Sequence, residues 1–491
     1  MKTLQFGKTT CLLVVFSVAA ALVSSAQTYT TLASFNGANG LAPSGPVVQG
    51  LNGSFYGVTI SGGNKCSDGT CGTVFQVTPG GKLTALHLFC SQANCADGYE
   101  PLPGLVLGAN GNFYGTTSRG GANNGGTVFE ISPAGKLTTL YSFCSAGKCP
   151  DGRAPQGTLM QAANGNLYGA LFSGGSPTHC AGGCGTILQI TPAGVFSVFH
   201  TFCSTTECTH DGSFPSTGLT QGANGNYFGT TSSGGPSHVG IVYEITPGGK
   251  LGMLYNLCSE PNCADGWNAA VPPIQASNGN LYGTTTQGGT SESGVLYNLT
   301  LAKHFSDLND FCTGACSDGN SPTGLIQATD GNFYGVTTYG GAATNGVLYE
   351  FTAEGELNPL YEFCAKANCT DGANPSGVTQ ATNGMFYGTA SSGGAGSSSC
   401  SCGAIYRVAT GLGPFVEANP NFGAVGKVVN VLGNGLTGTT SVTFNGTAAK
   451  FRVISDTYLK AQVPASATTG AIEVTTPSGT LNSNVVFQVL P

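Results

Sequence analysis

Cysteine is the residue type with the clearest capacity for chemistry in this chain. Of the 19 cysteines, all except Cys11 fall into close pairs. Paired thiols a few residues apart can form a disulfide or bind a metal ion, depending on the compartment in which the chain folds. Six pairs recur at equivalent places and three occupy a second kind of loop: Cys90/Cys95, Cys144/Cys149, Cys203/Cys208, Cys258/Cys263, Cys312/Cys316 and Cys364/Cys369, then Cys66/Cys71, Cys180/Cys184 and Cys400/Cys402.

Residues 1–26 have the features of a secretory signal. Lys2 and Lys8 precede an apolar run from Cys11 to Val23, and small residues at 24–26 form a cleavage site. We therefore predict an exported chain in which the nine cysteine pairs are disulfides that staple short loops. A zinc site needs four ligands around one ion, and no second pair is expected near any of these pairs, so no metal or cofactor is predicted. The single residue between Cys400 and Cys402 would strain a bridge, which leaves that pairing open.

A second set of side chains suits carbohydrate recognition. The residue after a recurring Asp-Gly dipeptide differs in each copy of an internal repeat, and the residue before a recurring double glycine also varies. Aromatic faces stack on sugar rings, and arginine donates several hydrogen bonds. We predict a ligand site at these positions; the alternative is that they are tolerated loop residues. The predicted site residues are Tyr99, Arg119, Arg153, Trp267 and Tyr339.

The recurring aspartate of the Asp-Gly dipeptide has two interpretations. A ring of carboxylates could bind calcium, but each loop offers one such ligand and calcium loops supply several. A turn is favoured, because Asp accepts hydrogen bonds from nearby backbone and Gly tolerates positive φ. The six aspartates are Asp97, Asp151, Asp211, Asp265, Asp318 and Asp371.

Enzyme chemistry finds less support in the sequence, and no catalytic residue is predicted. A sialidase would need an arginine cluster, whereas the chain after residue 26 has four arginines. The segment from Cys66 to Cys71 resembles part of an Asp-box but lacks its spacing and its Trp. A glycosidase or lyase that uses Glu100 with a neighbouring Asp stays open, because two carboxylates from separate repeats leave no sequence signature.

The elements that must position these side chains come from the repeat itself. Its core, N-G-x-aromatic or aliphatic-aromatic-G, occurs seven times at steps of 52 to 60 residues, which is the period of propeller blades. In the second copy an Asn-Gly hairpin turn joins two strands and two alternating strands follow, which makes one four-stranded blade. The copies end at Gly57, Gly115, Gly169, Gly229, Gly283, Gly335 and Gly388.

Strand counting predicts how the ring closes. The seventh copy lacks a fourth strand, whereas residues 29–35 match a fourth strand and have no blade before them. Pairing the two removes an open sheet edge. We therefore predict an all-β fold: a seven-bladed β-propeller closed by an N-terminal strand, followed by a C-terminal Ig-like β-sandwich. All cysteine pairs fall on one face of this ring, and this stapled face is the predicted binding face.

Residues 413–491 form a separate domain by composition, since the cysteines and the repeat both stop. Short alternating strands are predicted there, including one at 485–487. The Pro420, Gly423 and Gly426 opening, the hairpin at 442–446 and the segment 470–479 resemble the IPT/TIG family, which implies an Ig-like accessory module able to contact other surface proteins. The repeat over residues 28–410 resembles the GloVer repeats of exported bacterial proteins, which implies an exported repeat protein without an assigned activity.

Charge and hydropathy exclude two classes of partner. Without residues 1–26 the chain has 14 basic and 23 acidic residues, a net charge of −9, which disfavours nucleic acid. No later apolar run could span a membrane. The domains predicted are 1–26 (signal), 27–412 (propeller) and 413–491 (IPT/TIG). The predicted function is that of an exported extracellular or cell-surface binding or adhesion protein for polysaccharide or surface glycan; a structural matrix protein and a polysaccharide hydrolase or lyase are the alternatives.

Overall fold

The computed structural model describes residues 27–63, 71–175, 180–203, 208–269, 271–395 and 401–490. The fold is all-β, with 51 % strand and 2 % helix, as expected for a chain rich in glycine and β-branched residues. Within those ranges, no helix has the length and apolar character that crossing a bilayer requires. Short 3-10 turns lie at Ala93–Cys95, Pro261–Cys263 and Ala367–Cys369.

The strands of residues 28–409 form, within the described ranges, seven small antiparallel sheets, one for each repeat copy. Strand β1 (Thr28–Ser34) belongs to sheet 7. Sheet 1 contains β2 (Leu41–Gln49), β3 (Phe55–Ser61), β4 (Thr73–Val77) and β5 (Leu83–Leu88). Sheet 2 contains β6 (Tyr99–Pro101), β7 (Val106–Leu107), β8 (Phe113–Arg119), β9 (Thr127–Ile131) and β10 (Leu137–Ser142). Sheet 3 contains β11 (Arg153–Gln161), β12 (Leu167–Ser173), β13 (Thr186–Ile190) and β14 (Phe196–Thr201).

Sheets 4 to 7 follow the same order along the chain. Sheet 4 contains β15 (Ser213–Pro215), β16 (Thr220–Gln221), β17 (Tyr227–Ser233), β18 (Ile241–Ile245) and β19 (Leu251–Asn256), and sheet 5 contains β20 (Trp267–Ala269), β21 (Ile274–Gln275), β22 (Leu281–Gln287), β23 (Val295–Leu299) and β24 (Phe305–Asp310). Sheet 6 contains β25 (Asn320–Gln327), β26 (Phe333–Tyr339), β27 (Val347–Phe351) and β28 (Leu357–Glu362). Sheet 7 contains β29 (Ala373–Gln380), β30 (Phe386–Ser392) and β31 (Ala404–Ala409) in addition to β1.

The repeat core forms the second strand of each sheet, and in six of the seven sheets its last glycine faces an aromatic ring of the third strand; in sheet 3 the corresponding Gly169 faces Leu159 and Leu188 instead. A Cβ on Gly115 would stand 2.5 Å from the ring of Phe129, and one on Gly57 would stand 2.5 Å from the ring of Phe75. Only glycine leaves room for these buried rings, since core packing has no spare volume at this distance. The same contact recurs in sheets 4 to 7 with a tyrosine in place of the phenylalanine.

The first strands bring neighbouring sheets together, and the series closes on itself. Strand β29 of sheet 7 contacts both β25 of sheet 6 and β2 of sheet 1. Strand β1 pairs antiparallel with β31, from Thr28 opposite Ala409 to Ser34 opposite Ala404. The ring of Tyr29 stacks on that of Tyr361 at 3.7 Å, which ties the chain start to sheet 6 as well. The N-terminal strand therefore supplies the fourth strand that the seventh repeat copy lacks.

The C-terminal segment, residues 413–490, packs two four-stranded antiparallel sheets around a core that includes Val431, Leu459, Val442 and Val474. Its strands are β32 (Glu417–Asn419), β33 (Phe422–Ala424), β34 (Val428–Leu432), β35 (Ser441–Phe444), β36 (Thr447–Ala448), β37 (Phe451–Ser455), β38 (Tyr458–Gln462), β39 (Ile472–Thr476), β40 (Gly479–Asn482) and β41 (Gln488–Leu490).

One strand prediction in this segment was wrong by three residues. The predicted strand at 485–487 is replaced by β41, which pairs in parallel with β33. Val485 and Val486 are 46 % and 53 % exposed, and Phe487 makes an isolated bridge with Gly470. The apolar run misled the prediction because its valines cover no core surface.

Candidate functional site

The connections of the stapled face are held by disulfides. Seven of the nine predicted pairs are disulfide-bonded in the described residues. Cys71 and Cys402 also take part in disulfides, while Cys66 and Cys400, their predicted partners, lie outside the described residues. The seven bonds are Cys90–Cys95, Cys144–Cys149, Cys180–Cys184, Cys203–Cys208, Cys258–Cys263, Cys312–Cys316 and Cys364–Cys369.

In five of the six staples between two sheets, the aspartate that follows the staple accepts hydrogen bonds from backbone N–H groups of the staple: Asp97, Asp151, Asp265, Asp318 and Asp371. Asp265 is 2 % exposed, and its carboxylate accepts hydrogen bonds from Tyr255 OH (2.9 Å), from Ser259 N–H (2.8 Å) and Oγ (2.9 Å), and from Glu260 N–H (3.1 Å). The carboxylate thus binds backbone five and six residues earlier, rather than the turn that follows it. These oxygens already have protein donors, which accounts for the recurrence of Asp by loop structure.

The equivalent carboxylate in sheet 2 shows what these donors do electrostatically. Burial alone would raise the pKa of Asp97, but hydrogen bonds from the side chains of His87 and Ser91 and from the N–H groups of Ser91 and Gln92 hold the pKa below its ordinary value. The His87 Nε2 to Asp97 Oδ2 distance is 3.0 Å. Donors that favour the charged form outweigh desolvation here, so Asp97 is ionised at neutral pH.

The two variable positions singled out in the sequence lie opposite each other in the same pair of strands. Tyr99 pairs with Arg119 and Trp267 with Gln287, and Asn320 pairs with Tyr339. These residues begin the first strand or end the second strand of a sheet. The structure therefore brings Tyr99 and Arg119 together and leaves Trp267 and Tyr339 in sheets 5 and 6.

Exposure differs among the predicted ligand-binding residues. Arg119 and Arg153 are exposed, Tyr339 is 53 % exposed, and Tyr99 and Trp267 are half-buried. Arg153 lies opposite Ser173, and its Nε donates a hydrogen bond to Ser173 Oγ at 3.1 Å. All five side chains have at least part of their surface available to solvent at the stapled face.

In sheet 2, three polar side chains contact one another on the stapled face. Arg119 Nε lies 3.2 Å from Glu100 Oε2, and Ser118 Oγ lies 3.1 Å from the same carboxylate oxygen. Beside them is a cavity of about 480 Å³ lined by Tyr99, the Asn94 loop and the Asn123–Asn124 loop. The Tyr99 ring and several amides therefore share one concave surface, and the ion pair of Arg119 and Glu100 lies next to it along the same two strands.

The second residue of every first strand has a left-handed backbone although it is not glycine. The φ angles range from +51° to +58°, and each value costs on the order of 1 kcal/mol. At Glu100 this turn directs the N–H to the carbonyl of Cys71 in the preceding sheet at 3.0 Å, and at Phe214 to that of Cys184 at 2.7 Å. Sequence analysis missed these positions, which carry no glycine: Ala42, Glu100, Ala154, Phe214, Asn268, Ser321 and Asn374.

The opposite face, formed by the Asn-Gly hairpin turns, carries a ring of glutamines that sequence analysis also missed. Six first strands end in Gln, and each side-chain oxygen accepts a hydrogen bond from a turn N–H of the preceding sheet. Leu107 replaces Gln in sheet 2. The bonds run from Ala109 to Gln161 (2.9 Å), Ala163 to Gln221 (2.8 Å), Ala223 to Gln275 (2.7 Å), Ser277 to Gln327 (2.8 Å), Thr329 to Gln380 (3.0 Å) and Thr382 to Gln49 (2.9 Å).

The C-terminal segment docks on this turn face where the glutamine ring is interrupted. Asn419 Nδ2 donates to Leu107 O at 2.9 Å, and Thr457 Oγ1 donates to Leu51 O at 2.7 Å. Leu432, 2 % exposed, joins the hydrophobic cluster of Leu107. A leucine in the glutamine position thus provides the apolar contact that the docked segment needs.

One part of the metal reasoning was wrong. A second cysteine pair was not expected near any other, yet the pairs Cys180/Cys184 and Cys203/Cys208 lie together, with their four Sγ atoms within 4.8 Å of one another. The spacing along the chain hid this contact, because the two loops are adjacent only once the sheet has formed.

Comparison with known proteins bears on family and fold. The family model described as the Gloeobacter/Verrucomicrobia repeat matches residues 14–176, 67–266 and 215–452. A search of curated protein sequences gave no match. Among solved structures, the extracellular domain of a protein described as a hybrid two-component system of B. thetaiotaomicron has a TM-score of 0.50 at 11 % identity, covering 94 % of this chain and 58 % of that one.

Two further structures resemble the chain more loosely. PorZ, a surface component of the type-IX secretion system of Porphyromonas gingivalis, has a TM-score of 0.47 at 15 % identity and covers 89 % of this chain and 58 % of its own. A gluconolactonase of Xanthomonas campestris has a TM-score of 0.39 at 11 % identity and covers 79 % and 92 %. The chain thus spans 58 % of the length of the first two structures, and at these identities the likeness concerns the fold alone.

Proposed function

The chain belongs to the Gloeobacter/Verrucomicrobia repeat family, and from this premise we propose that it is an exported binding protein of the cell surface or extracellular space. We take its ring of sheets as a seven-bladed β-propeller closed by β1 (residues 27–412) and the C-terminal segment (413–491) as an Ig-like domain of the IPT/TIG type. Residues 1–26 act as the export signal. The disulfides support this location, because such bonds persist in oxidising compartments.

The ligand of this protein is carbohydrate, bound on the stapled face. The observation that carries the proposal is the cross-strand pair of variable residues Tyr99 and Arg119 beside a cavity of about 480 Å³. Polar groups that converge beside an aromatic wall are typical of small-ligand sites. The half-buried Tyr99 ring supplies a stacking surface, and Arg119, Asn123 and Asn124 supply hydrogen-bonding groups for hydroxyls.

The different contacts of the two faces also support a carbohydrate site on the stapled face. The turn face is occupied by the C-terminal segment, whose Asn419 and Thr457 bond to backbone carbonyls there. The stapled face keeps Arg153, Trp267 and Tyr339 at its edge, where a longer polysaccharide could extend from sheet 2 toward sheets 3, 5 and 6. The outer surface of the C-terminal domain stays available for other surface proteins.

The test is binding of the full chain without residues 1–26 to a panel of plant, fungal and bacterial polysaccharides. Saturable binding is expected, with at least a tenfold loss of affinity in Tyr99→Ala, since loss of a central aromatic contact typically costs 2 kcal/mol or more (about 30-fold). The matched control is Leu301→Ala, an exposed apolar residue in a hairpin of the opposite face, which should bind as the parent does.

The outcomes separate the alternatives. Loss in Tyr339→Ala as well as in Tyr99→Ala would indicate a ligand that spans the face, whereas loss in Tyr99→Ala alone would confine it to sheet 2. Release of reducing ends in the same wells, abolished by Glu100→Gln, would indicate a hydrolase or lyase instead. No binding by a folded chain across the panel would overturn the carbohydrate proposal and leave the structural role.

A further inference from the structure

Two cysteine pairs of sheet 3 converge on one point. The Sγ atoms of Cys180, Cys184, Cys203 and Cys208 all lie within 4.8 Å of one another. Cys184 and Cys203 are 0 % and 1 % exposed, and the other two are half-buried. Over the parts of the chain that the structure describes, this is the one group of His, Cys, Asp or Glu side chains that meets the geometry of a metal site.

The fold explains why these two pairs meet. Cys180 and Cys184 lie in the connection from β12 to β13, and Cys203 and Cys208 lie in the connection from β14 to β15. Because β13 and β14 pair antiparallel, the start of β13 and the end of β14 are at the same end of the sheet. The resulting C-x3-C-x18-C-x4-C spacing is close to that of structural zinc sites.

We propose that these four cysteines form a redox-controlled binding site for a soft divalent cation such as Zn²⁺. With both disulfides closed, the sulfurs are held as two adjacent bridges. With both open, four thiolates surround one point, and tetrahedral tetrathiolate coordination is the arrangement that Zn²⁺ prefers. This inference does not rest on the proposed carbohydrate function.

A basic side chain lies next to one of the two cysteine loops. The Arg153 side chain crosses the Cys180–Cys184 loop, since its Nη2 lies 3.0 Å from where a Cβ on Gly182 would stand. A zinc ion with four thiolates carries a net charge of −2, and a neighbouring guanidinium offsets part of it. Burial of Cys184 and Cys203 in an apolar cluster limits access of water to the ion.

The switch between the two states balances as a thiol–disulfide exchange. Two molecules of a disulfide oxidant accept four electrons from the four thiolates, two Sγ–Sγ bonds form, Zn²⁺ leaves, and the oxidant becomes four thiolates. A dithiol reductant reverses the reaction. Metal release and disulfide formation are therefore one event at this site.

The test uses the full chain without residues 1–26, produced in a reducing cytosol with added zinc and purified without oxygen. About one zinc ion per chain is expected, and replacement by Co²⁺ should give the intense visible bands of a tetrahedral thiolate site. The variant C203S/C208S should lose both signals. The control C258S/C263S removes a pair of the same spacing in sheet 5 and should keep them.

A second measurement covers the case in which the variants fold poorly. In the parent chain, zinc should slow alkylation of Cys180, Cys184, Cys203 and Cys208 at least tenfold, as read by peptide mass spectrometry, and should leave Cys258 and Cys263 unprotected. Equal alkylation of all pairs would overturn the proposal, as would metal content that is the same in C203S/C208S and C258S/C263S. An oxidised parent chain that still retains zinc at these residues would also contradict it.

Discussion

The stapled face and the turn face of the ring arise from the same repeat but differ in what each position tolerates. On the turn face, six glutamines repeat one hydrogen bond from sheet to sheet, and the one exception, Leu107, coincides with a docked segment. On the stapled face, the aspartate anchors repeat while the residue that begins the first strand differs in every sheet. The first face is uniform because each glutamine makes the same bond to the neighbouring sheet, whereas the second varies at its strand starts over a repeated support.

This difference separates the positions of the repeat that support the fold from the positions that are available for binding. A position that repeats and is buried with all its hydrogen bonds made, such as Asp265, belongs to the support. A position that varies between copies while its neighbours repeat and whose side chain is exposed, such as that of Arg153, does not contribute to this support. Substitutions should therefore have effects on stability that fall steadily from the anchors to the variable positions.

The largest effect is expected at a buried anchor of the stapled face. Asp265→Ala removes the carboxylate that accepts four hydrogen bonds, two of them from the N–H groups of Ser259 and Glu260. We expect the free energy of unfolding to fall by about 3–4 kcal/mol. Asp318 is half-buried, and burial raises its pKa, so Asp318→Ala should cost about 1 kcal/mol. Denaturant unfolding of both variants measures the contrast; equal losses would contradict the anchor role.

The next largest effect is expected where the C-terminal segment meets the turn face. Leu432→Ala leaves a cavity beside Leu107 and should cost about 2–3 kcal/mol. Leu432→Met, which conserves volume, should cost less than about 1.5 kcal/mol. The readout is the rate of proteolysis between residues 409 and 415, which should rise in the alanine variant. An unchanged rate would show that the polar contacts alone hold the segment.

A smaller effect is expected in the glutamine ring. Gln221→Leu removes the acceptor of the Ala163 N–H, and water can partly replace it at this half-buried turn, so a cost of about 1 kcal/mol is expected. Leu107→Gln completes the ring in sequence, yet it should destabilise the chain because the amide would enter the apolar contact with Leu432. Thermal unfolding compares them; a stabilised Leu107→Gln would reverse our explanation of the exception.

The smallest effect is expected at the variable positions. Arg153→Ala and Tyr339→Ala remove side chains that are largely exposed, and surface changes of this kind usually stay within about 0.5 kcal/mol. The same denaturant series measures them. A cost above about 2 kcal/mol at either residue would place it among the structural anchors and remove the distinction between the two kinds of position.

Local patterns predicted much of this architecture. The Asn-Gly turns fix hairpins through backbone preference alone, and a missing fourth strand at one end of the repeat predicted the pairing of β1 with β31 that the structure has. The close cysteine pairs were predictable for the same reason, since both partners lie in one short loop.

Contacts between sheets were not predictable in this way. The glutamines repeat visibly in the sequence, but their partners lie in the neighbouring sheet, 50 or more residues away. The residues with a left-handed backbone, including Glu100 and Phe214, are not glycines, so the sequence gives no sign of their conformation. The four converging cysteines of sheet 3 and the docking of Leu432 depend on how finished sheets pack, which no local pattern encodes.

The pairing of β1 with β31 also orders the folding of the chain in time. Tyr29 bonds to the backbone of a residue 342 positions later, so the strand that is synthesised first waits for its partner until almost the whole ring has followed. Sheets 1 to 6 draw on adjacent segments and can form as they arrive, whereas sheet 7 pays a long loop-closure entropy. Ring closure is therefore expected to be the slow, final step, and until then β1 is an open edge that a second copy could capture.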